Sequence, residues 1–300
     1  MNAFLAALTL QAGYNAALVA IGAALLGAAA GVAGTFLFLR RRALVSDAVA
    51  HATLPGVGLA FLLMVALGGD GRWLPGLLFG SAATALAGLW VVEWLSRRTR
   101  LAEDAAIGAV LSVFFGIGVV LLTVIQSVGA GRAAGLEDFL LGSAAGMLRS
   151  EALLIALGGA LVTLLTLAAR RAMTVVAFDA GFAAASGVNV VAIDRLTMGI
   201  VAAVTVIGLK IVGLILIVAL LIVPSVAARF WTDRIGMLLG LAALFGALAG
   251  YGGAALSASA PALPTGPIIV LALALIFALS LLFAPNRGAV ATAYRRARAA

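Results

Sequence analysis

IDRLTMGIVAAVTVIGLKIVGLILIVALLIVPSVAA, residues 193–228, decides how many times this chain crosses whatever surrounds it. The run is too long for one ordinary membrane span of about 20 residues and barely holds two of about 17. Gly208 and Gly213 bracket Lys210, the only lysine, and Pro224 adds a second interruption. The pattern reads as a broken pair of helices turning between Gly208 and Gly213, with Lys210 snorkelling at the outer turn.

Working outward, composition sets the class. Hydrophobic residues make up 65% of the chain and charged residues 10%, against about 25% charged in ordinary soluble domains. Mean hydropathy is +1.24. Repeated apolar runs long enough for helices, rather than short alternating strands, make this an all-α polytopic membrane protein. Spans fall at about 15–39, 47–68, 75–95, 105–127 and 151–169, two within 193–228, then 235–256 and 266–284. Abundant Gly and Ala suit close helix packing in lipid. Residues 1–14 lack the basic region of a cleavable signal peptide.

Charge tests the count, because Lys and Arg in short loops mark the cytoplasmic side. With nine crossings and the N-terminus outside, every basic residue except Arg72, Arg132, Arg149 and Lys210 falls inside. With eight crossings, the alternative, the tail NRGAVATAYRRARAA (286–300) would lie outside, against the rule. The basic clusters lie between apolar runs and lack interleaved aromatics, so they serve topology and not nucleic-acid binding. Cysteine is absent, which excludes disulfides and thiolate sites.

Two connections exceed simple turns. Outside, Ser127 to Ser150 contains LEDFLLGSAAGM, read as a short interfacial helix with Glu137 and Asp138 in its first turn. Inside, residues 172–191 contain FDAGFAAASGVNV. Asp179 is placed to cap a short helix running through Phe182 and stopping near Gly187. Such a helix serves either as a docking handle or simply closes the loop.

One further stretch carries chemistry: LRRRALVSDAVAHATLPGVG, residues 39–58. Asp47 and His51, the only histidine, are one helical turn apart on the same face. Pro55 removes the N–H that would have bonded the His51 carbonyl. A carboxylate, an imidazole and a freed carbonyl suit a divalent manganese, iron or zinc ion, and the lack of thiolate argues against copper(I). The bland reading sets Asp47 as an interfacial residue near Arg42, with His51 bonded to a backbone carbonyl. Ionisable groups within a span are costly and usually functional, which favours a cation path. One chain leaves the shell incomplete. Two copies facing each other across a shared axis would supply four side-chain ligands.

Glu93, Glu103 and Asp104 lie near span ends beside Arg97, Arg98 and Arg100, where salt bridging or a helix N-terminus accounts for them. No G-x-x-x-x-G-K-[ST] occurs, so the chain carries no Walker-type ATPase site. No Ser/His/Asp set or H-E-x-x-H points to an intramembrane enzyme.

Taken together, the residues resemble the membrane permease subunit of the manganese, zinc and iron ABC importers, the ABC-3 family. RRRALVSDAVAHATLPGVGLAFLL (40–63) is similar to the family's second-span signature. FDAGFAAASGVNV (178–190) resembles its ATPase-docking loop, and GLKIVGLILIVALLIVPSVAARFWTDR (208–234) its late signature. LPTGPIIVL (263–271) and LLFAPNRG (281–288) resemble its C-terminal span. The resemblance covers nearly the whole chain.

It implies a single permease domain over residues 1–300 in a bacterial cytoplasmic membrane, of the type II ABC importer kind, with the cytoplasmic loop at 172–191. It also implies two ATP-binding subunits, an extracytoplasmic metal-binding protein and a second permease subunit. No cofactor is expected, the divalent ion being substrate. The family's metal ligands carry over to Asp47 and His51, and its docking residues to Asp179, Phe182 and Gly187. Gly181 stands where the family often has an acid, and Lys210 where a neutral polar residue is common. SDAVAHATLPG leans towards the manganese and iron branch. Two other readings stay open: an ion-coupled secondary carrier using 193–228, and an importer of a metal chelate such as a siderophore or cobalamin.

Overall fold

A computed structural model describes residues 3–69, 71, 73–128, 147–260, 263–285, 287–292 and 295. The expected interfacial helix with Glu137 and Asp138 lies outside the described residues. Among them are α1 (Ala3–Leu8), α2 (Tyr14–Leu39), α3 (Ala43–Ala66), α4 (Leu74–Arg98) and α5 (Glu103–Val128). After the undescribed stretch come α6 (Arg149–Phe178), α7 (Ala180–Ala185), α8 (Val190–Trp231), α9 (Ile235–Ala258) and α10 (Thr265–Phe283). Counting the two limbs of α8, Val190–Leu209 and Val212–Trp231, separately, 9 of these segments are long and apolar enough to span a membrane.

The turn in α8 sits at Gly213, whose φ of 75° and ψ of 173° belong to a region open almost only to glycine. Both limbs then lie along α2. Gly208 of the first limb packs beside Leu26, and Gly34 lies against the Leu221 carbonyl of the second. The hydroxyls of Thr35 and Ser225 both donate to the Gly31 carbonyl, at 2.9 and 3.1 Å. Asp194 begins the first limb beside Arg40, and Ala228 ends the second in a cluster with Leu39. Both limb ends therefore stand at the same end of α2, so α8 is a hairpin of two crossings. That parity places the basic ends of α2, α4, α6 and α10 together, as the charge rule required.

The hairpin lies between two groups of helices. On one side α2 packs against α6 and α9, with α10 closing over α8 and α9. On the other α3 lies between α4 and α5 and reaches the rest chiefly through α8, touching α2 little. In lipid no hydrophobic force drives helices together, so contact depends on small residues that let backbones approach. Gly27 and Gly246 illustrate this between α2 and α9: a methyl on either would overlap the other's carbonyl oxygen.

The largest boundary difference from the sequence reading is in the fifth span. The fifth span was expected to end near 169 with a loop from 172, yet α6 runs on to Phe178. Met173 and Val176 are buried, and no Gly or Pro interrupts residues 170–178, so the helix keeps both its packing and its backbone bonding. α1 was not foreseen. It packs on α9 at the outer end, where the Tyr251 hydroxyl donates to the Leu8 carbonyl at 2.6 Å.

Candidate functional site

α3 begins at Ala43, immediately after the arginine cluster, so Asp47 stands one turn and His51 two turns above its cytoplasmic end. Ala48, Val49, Ala50, Ala52 and Leu54 are buried, which fixes how the helix is rotated. Gly56 meets Gly80 of α4 backbone to backbone, and Leu54 packs against Gly118 of α5. Pro55 sits inside the continuous helix.

This rotation brings Asp47 Oδ1 to 3.4 Å from His51 Nε2 and leaves 39% of the Asp47 and 21% of the His51 side chain exposed. The remaining ring nitrogen, Nδ1, is buried without a hydrogen-bond partner. The imidazole meets the edge of Phe115 on α5, with centroids 5.0 Å apart and planes at 86°. His51 thus does not serve a backbone carbonyl among the described residues. Arg42, the candidate neutraliser of Asp47, turns instead to Glu103 at 2.8 Å and to Asp194 at 3.4 Å. The Asp47 carboxylate and the Nε2 side of the imidazole remain on a partly open face, with Nδ1 turned into the protein. That set can bind a divalent ion weakly and needs further ligands to hold it well. No group of three or more His, Cys, Asp or Glu suited to a metal occurs among the described residues.

The second expected constellation is also formed. Asp179 Oδ1 accepts the Phe182 N–H at 2.8 Å, capping α7. At its other end the Val188 N–H donates to the Ala183 carbonyl at 2.9 Å and the Gly187 N–H to Ala184 at 3.1 Å. This is a Schellman ending, and it requires the positive φ of 82° at Gly187. Asn189 then caps α8 through the Ala192 N–H. The loop between α6 and α8 is therefore fixed at every turn, yet it displays Phe178 and Phe182, 64% and 62% exposed. An exposed aromatic pair on a capped, stiff loop is suited to protein contact.

Sequence reasoning missed two features. Phe115 was an unremarked apolar residue, and Asp194 was not singled out although it is an acid within the first turns of a span. Glu93 pairs with Arg97 at 3.1 Å, as placement suggested, and also with Arg195 at 2.9 Å. Glu103 pairs away from the Arg97 to Arg100 cluster, with Arg42. An acid near a span end is a visible signal, but its partner across the sequence is not.

Known proteins resemble this chain in sequence and in fold. Residues 14–284 match the ABC 3 transport family. The chain is 41% identical over 236 residues to the manganese transport system membrane protein MntC of Bacillus subtilis (strain 168), covering 79% of this chain and 53% of that protein. It is 39% identical over 232 residues to the zinc transport system membrane protein TroC of Treponema pallidum (strain Nichols), covering 77% and 76%. The chain spans about half the length of that MntC. Among solved structures it is similar to PsaBC from Streptococcus pneumoniae in complex with Fab, with a TM-score of 0.79, 28% identity and coverage of 95% and 96%. The chain, whose described residues include nine segments long and apolar enough to cross a membrane and which the family matches over residues 14–284, belongs to the ABC 3 transport family.

Proposed function

We propose that this multi-pass membrane protein is the permease of an ATP-driven importer of a divalent transition metal ion, manganese first and zinc or iron next. Asp47 and His51 form half of the ion's transient site, and a second permease subunit supplies the other half. The observation that carries the reading is the Asp47–His51 pair: His51 Nε2 faces Asp47 Oδ1 at 3.4 Å, both side chains are partly open, and Arg42 turns to Glu103 and Asp194 instead of to Asp47. The names of the relatives, manganese for MntC and zinc for TroC, support the class of ion.

ATP is hydrolysed by separate subunits; residues 1–300 carry no Walker-type motif. They dock on the loop from Asp179 to Asn189, whose capped helix and exposed Phe178 and Phe182 suit a rigid handle. An extracytoplasmic binding protein delivers the ion to the opposite face. The permease then moves it by alternating access and performs no chemistry on it.

The test is uptake by the reconstituted importer of manganese, zinc and iron separately. Asp47→Ala and His51→Ala should each abolish uptake while the ATP-binding subunits still assemble. Normal accumulation in both variants would refute the site. Uptake of a metal chelate that is indifferent to His51→Ala would favour the chelate importer instead.

A further inference from the structure

Arg40 ends α2 and is largely buried, with 18% of its side chain exposed. Its Nη1 donates to the Val176 carbonyl at 2.8 Å, and its Nη2 to Asp194 Oδ2 at 2.7 Å. Val176 lies in the last turn before the Asp179–Asn189 loop, and Asp194 in the first turns after it. One guanidinium therefore holds both legs of the loop. The same Asp194 oxygen is reached by Arg42 Nη1 at 3.4 Å, and Arg42 Nε lies 2.8 Å from Glu103 Oε1. Arg42 immediately precedes α3, with Asp47 one turn above it. Glu103 opens α5, which carries Phe115 against His51.

The chain Val176, Arg40, Asp194, Arg42, Glu103 thus joins the two legs of the loop to the two helices that shape the surroundings of His51. Asp233 offers a contrast: it pairs with Arg229 and Arg287 at an exposed position, 57% open, and reaches neither α3 nor α5. Partly buried ion pairs add little net stability, because desolvation offsets attraction, and their best-attested use is to fix register or to switch. The two Arg40 bonds are short and directional, and Arg42 is held to Asp194 and Glu103 by ion pairing, so displacing one end acts on the other.

We propose that Arg40, Asp194, Arg42 and Glu103 are positioning residues that pass movement of the Asp179–Asn189 loop to Asp47 and His51, an inference that rests on the functional reading above. Asp194 is the centre of the relay, since both arginines share its carboxylate.

The test uses the complete importer, permease with its ATP-binding subunits and binding protein, in proteoliposomes with manganese as the ion. ATP hydrolysis and manganese uptake are both measured for the natural protein, Asp194→Asn, Asp194→Glu and Glu103→Gln. In Asp194→Asn, hydrolysis should stay within about twofold while uptake per ATP falls about tenfold or more. Asp194→Glu, which keeps the charge, should restore most of that ratio, and Glu103→Gln should lower it by roughly three- to tenfold. His51 is the only histidine, so its acylation by diethylpyrocarbonate, read by mass spectrometry of this chain, gives a second measure. Nucleotide binding should change its rate in the natural importer and not in Asp194→Asn.

An unchanged uptake-to-ATP ratio in both Asp194→Asn and Glu103→Gln overturns the relay, and so does a fall of uptake and hydrolysis in parallel. If Asp194→Asn fails to assemble, the ratio in Glu103→Gln decides alone. Absence of ATP-driven uptake of manganese, zinc and iron by the natural importer overturns the functional reading and the relay with it.

Discussion

Ile217 folds back onto Gly208: a Cβ at position 208 would lie 2.5 Å from the Ile217 Cδ1. In a straight helix these positions would stand roughly 13 Å apart at about 1.5 Å per residue. The contact exists only because the chain reverses between them, and it makes the number of spans among the described residues odd. The side of the membrane reached by everything after residue 213 depends on it.

That reversal sets the topology. Single cysteines are informative because the natural chain has none. Cysteine at Ala12 or Ala260 should react with an impermeant maleimide in intact cells, whereas cysteine at Thr99 or Ser186 should react only after lysis. Protection of Ala260→Cys in intact cells would restore the eight-crossing arrangement.

The turn residue itself should tolerate no side chain. Gly213→Ala must hold φ 75° and ψ 173° with a Cβ, a conformation costing about 1–3 kcal/mol. The expected outcome is a lowered unfolding midpoint in detergent. Gly116→Ala on α5, where an added methyl meets nothing within 4 Å, is the control. Equal stability of the two variants would show that the reversal is not held at Gly213.

The loop helix α7 should lose its docking through either its frame or its face. Asp179→Ala removes the cap at about 1 kcal/mol. Gly187→Ala adds a left-handed residue at roughly 1–2 kcal/mol. Phe182→Ala leaves both ends of the helix intact, and as a truncated contact residue should weaken binding of the ATP-binding subunits about fivefold or more. Affinity measured by fluorescence titration in detergent should fall in all three, with retained affinity in Phe182→Ala arguing against an aromatic docking face.

Phe115 should tune the site without being a ligand. Its edge contact with His51 is worth about 0.5–1.5 kcal/mol. In Phe115→Ala the concentration of manganese giving half-maximal uptake should rise roughly two- to tenfold, an energy of that size. Phe115→Leu should sit between, and an unchanged value in both variants would show that the ring does not orient the imidazole.

Much of this was legible in the amino-acid order, for reasons that can be named. Span positions follow from apolar length, and the broken pair from the glycines at 208 and 213 within a run too long for one helix. The capped loop follows from Asp179, Phe182 and Gly187 at fixed offsets, because caps and endings are local chemistry. Asp47 and His51 share a face for the same local reason. The lower end of α6 is not legible in the sequence because Arg170 and Arg171 close the apolar run while the helix continues to Phe178. Charge marks where a helix meets water and does not stop it.

Sequence alone therefore determined what depends on neighbours along the chain: where the apolar spans fall, the two caps of the loop and the one-turn spacing of Asp47 and His51. Tertiary structure alone decided which distant groups meet. It turned Arg42 from Asp47 to Glu103 and Asp194, set Phe115 against His51, left His51 Nδ1 unpaired and put Arg40 across both legs of the loop. The physical reason is that helix formation is satisfied within a few residues, whereas charge and ring contacts follow from how backbones approach. That approach is set by small residues on separate helices, such as Gly27 with Gly246 and Gly56 with Gly80, and by the reversal at Gly213.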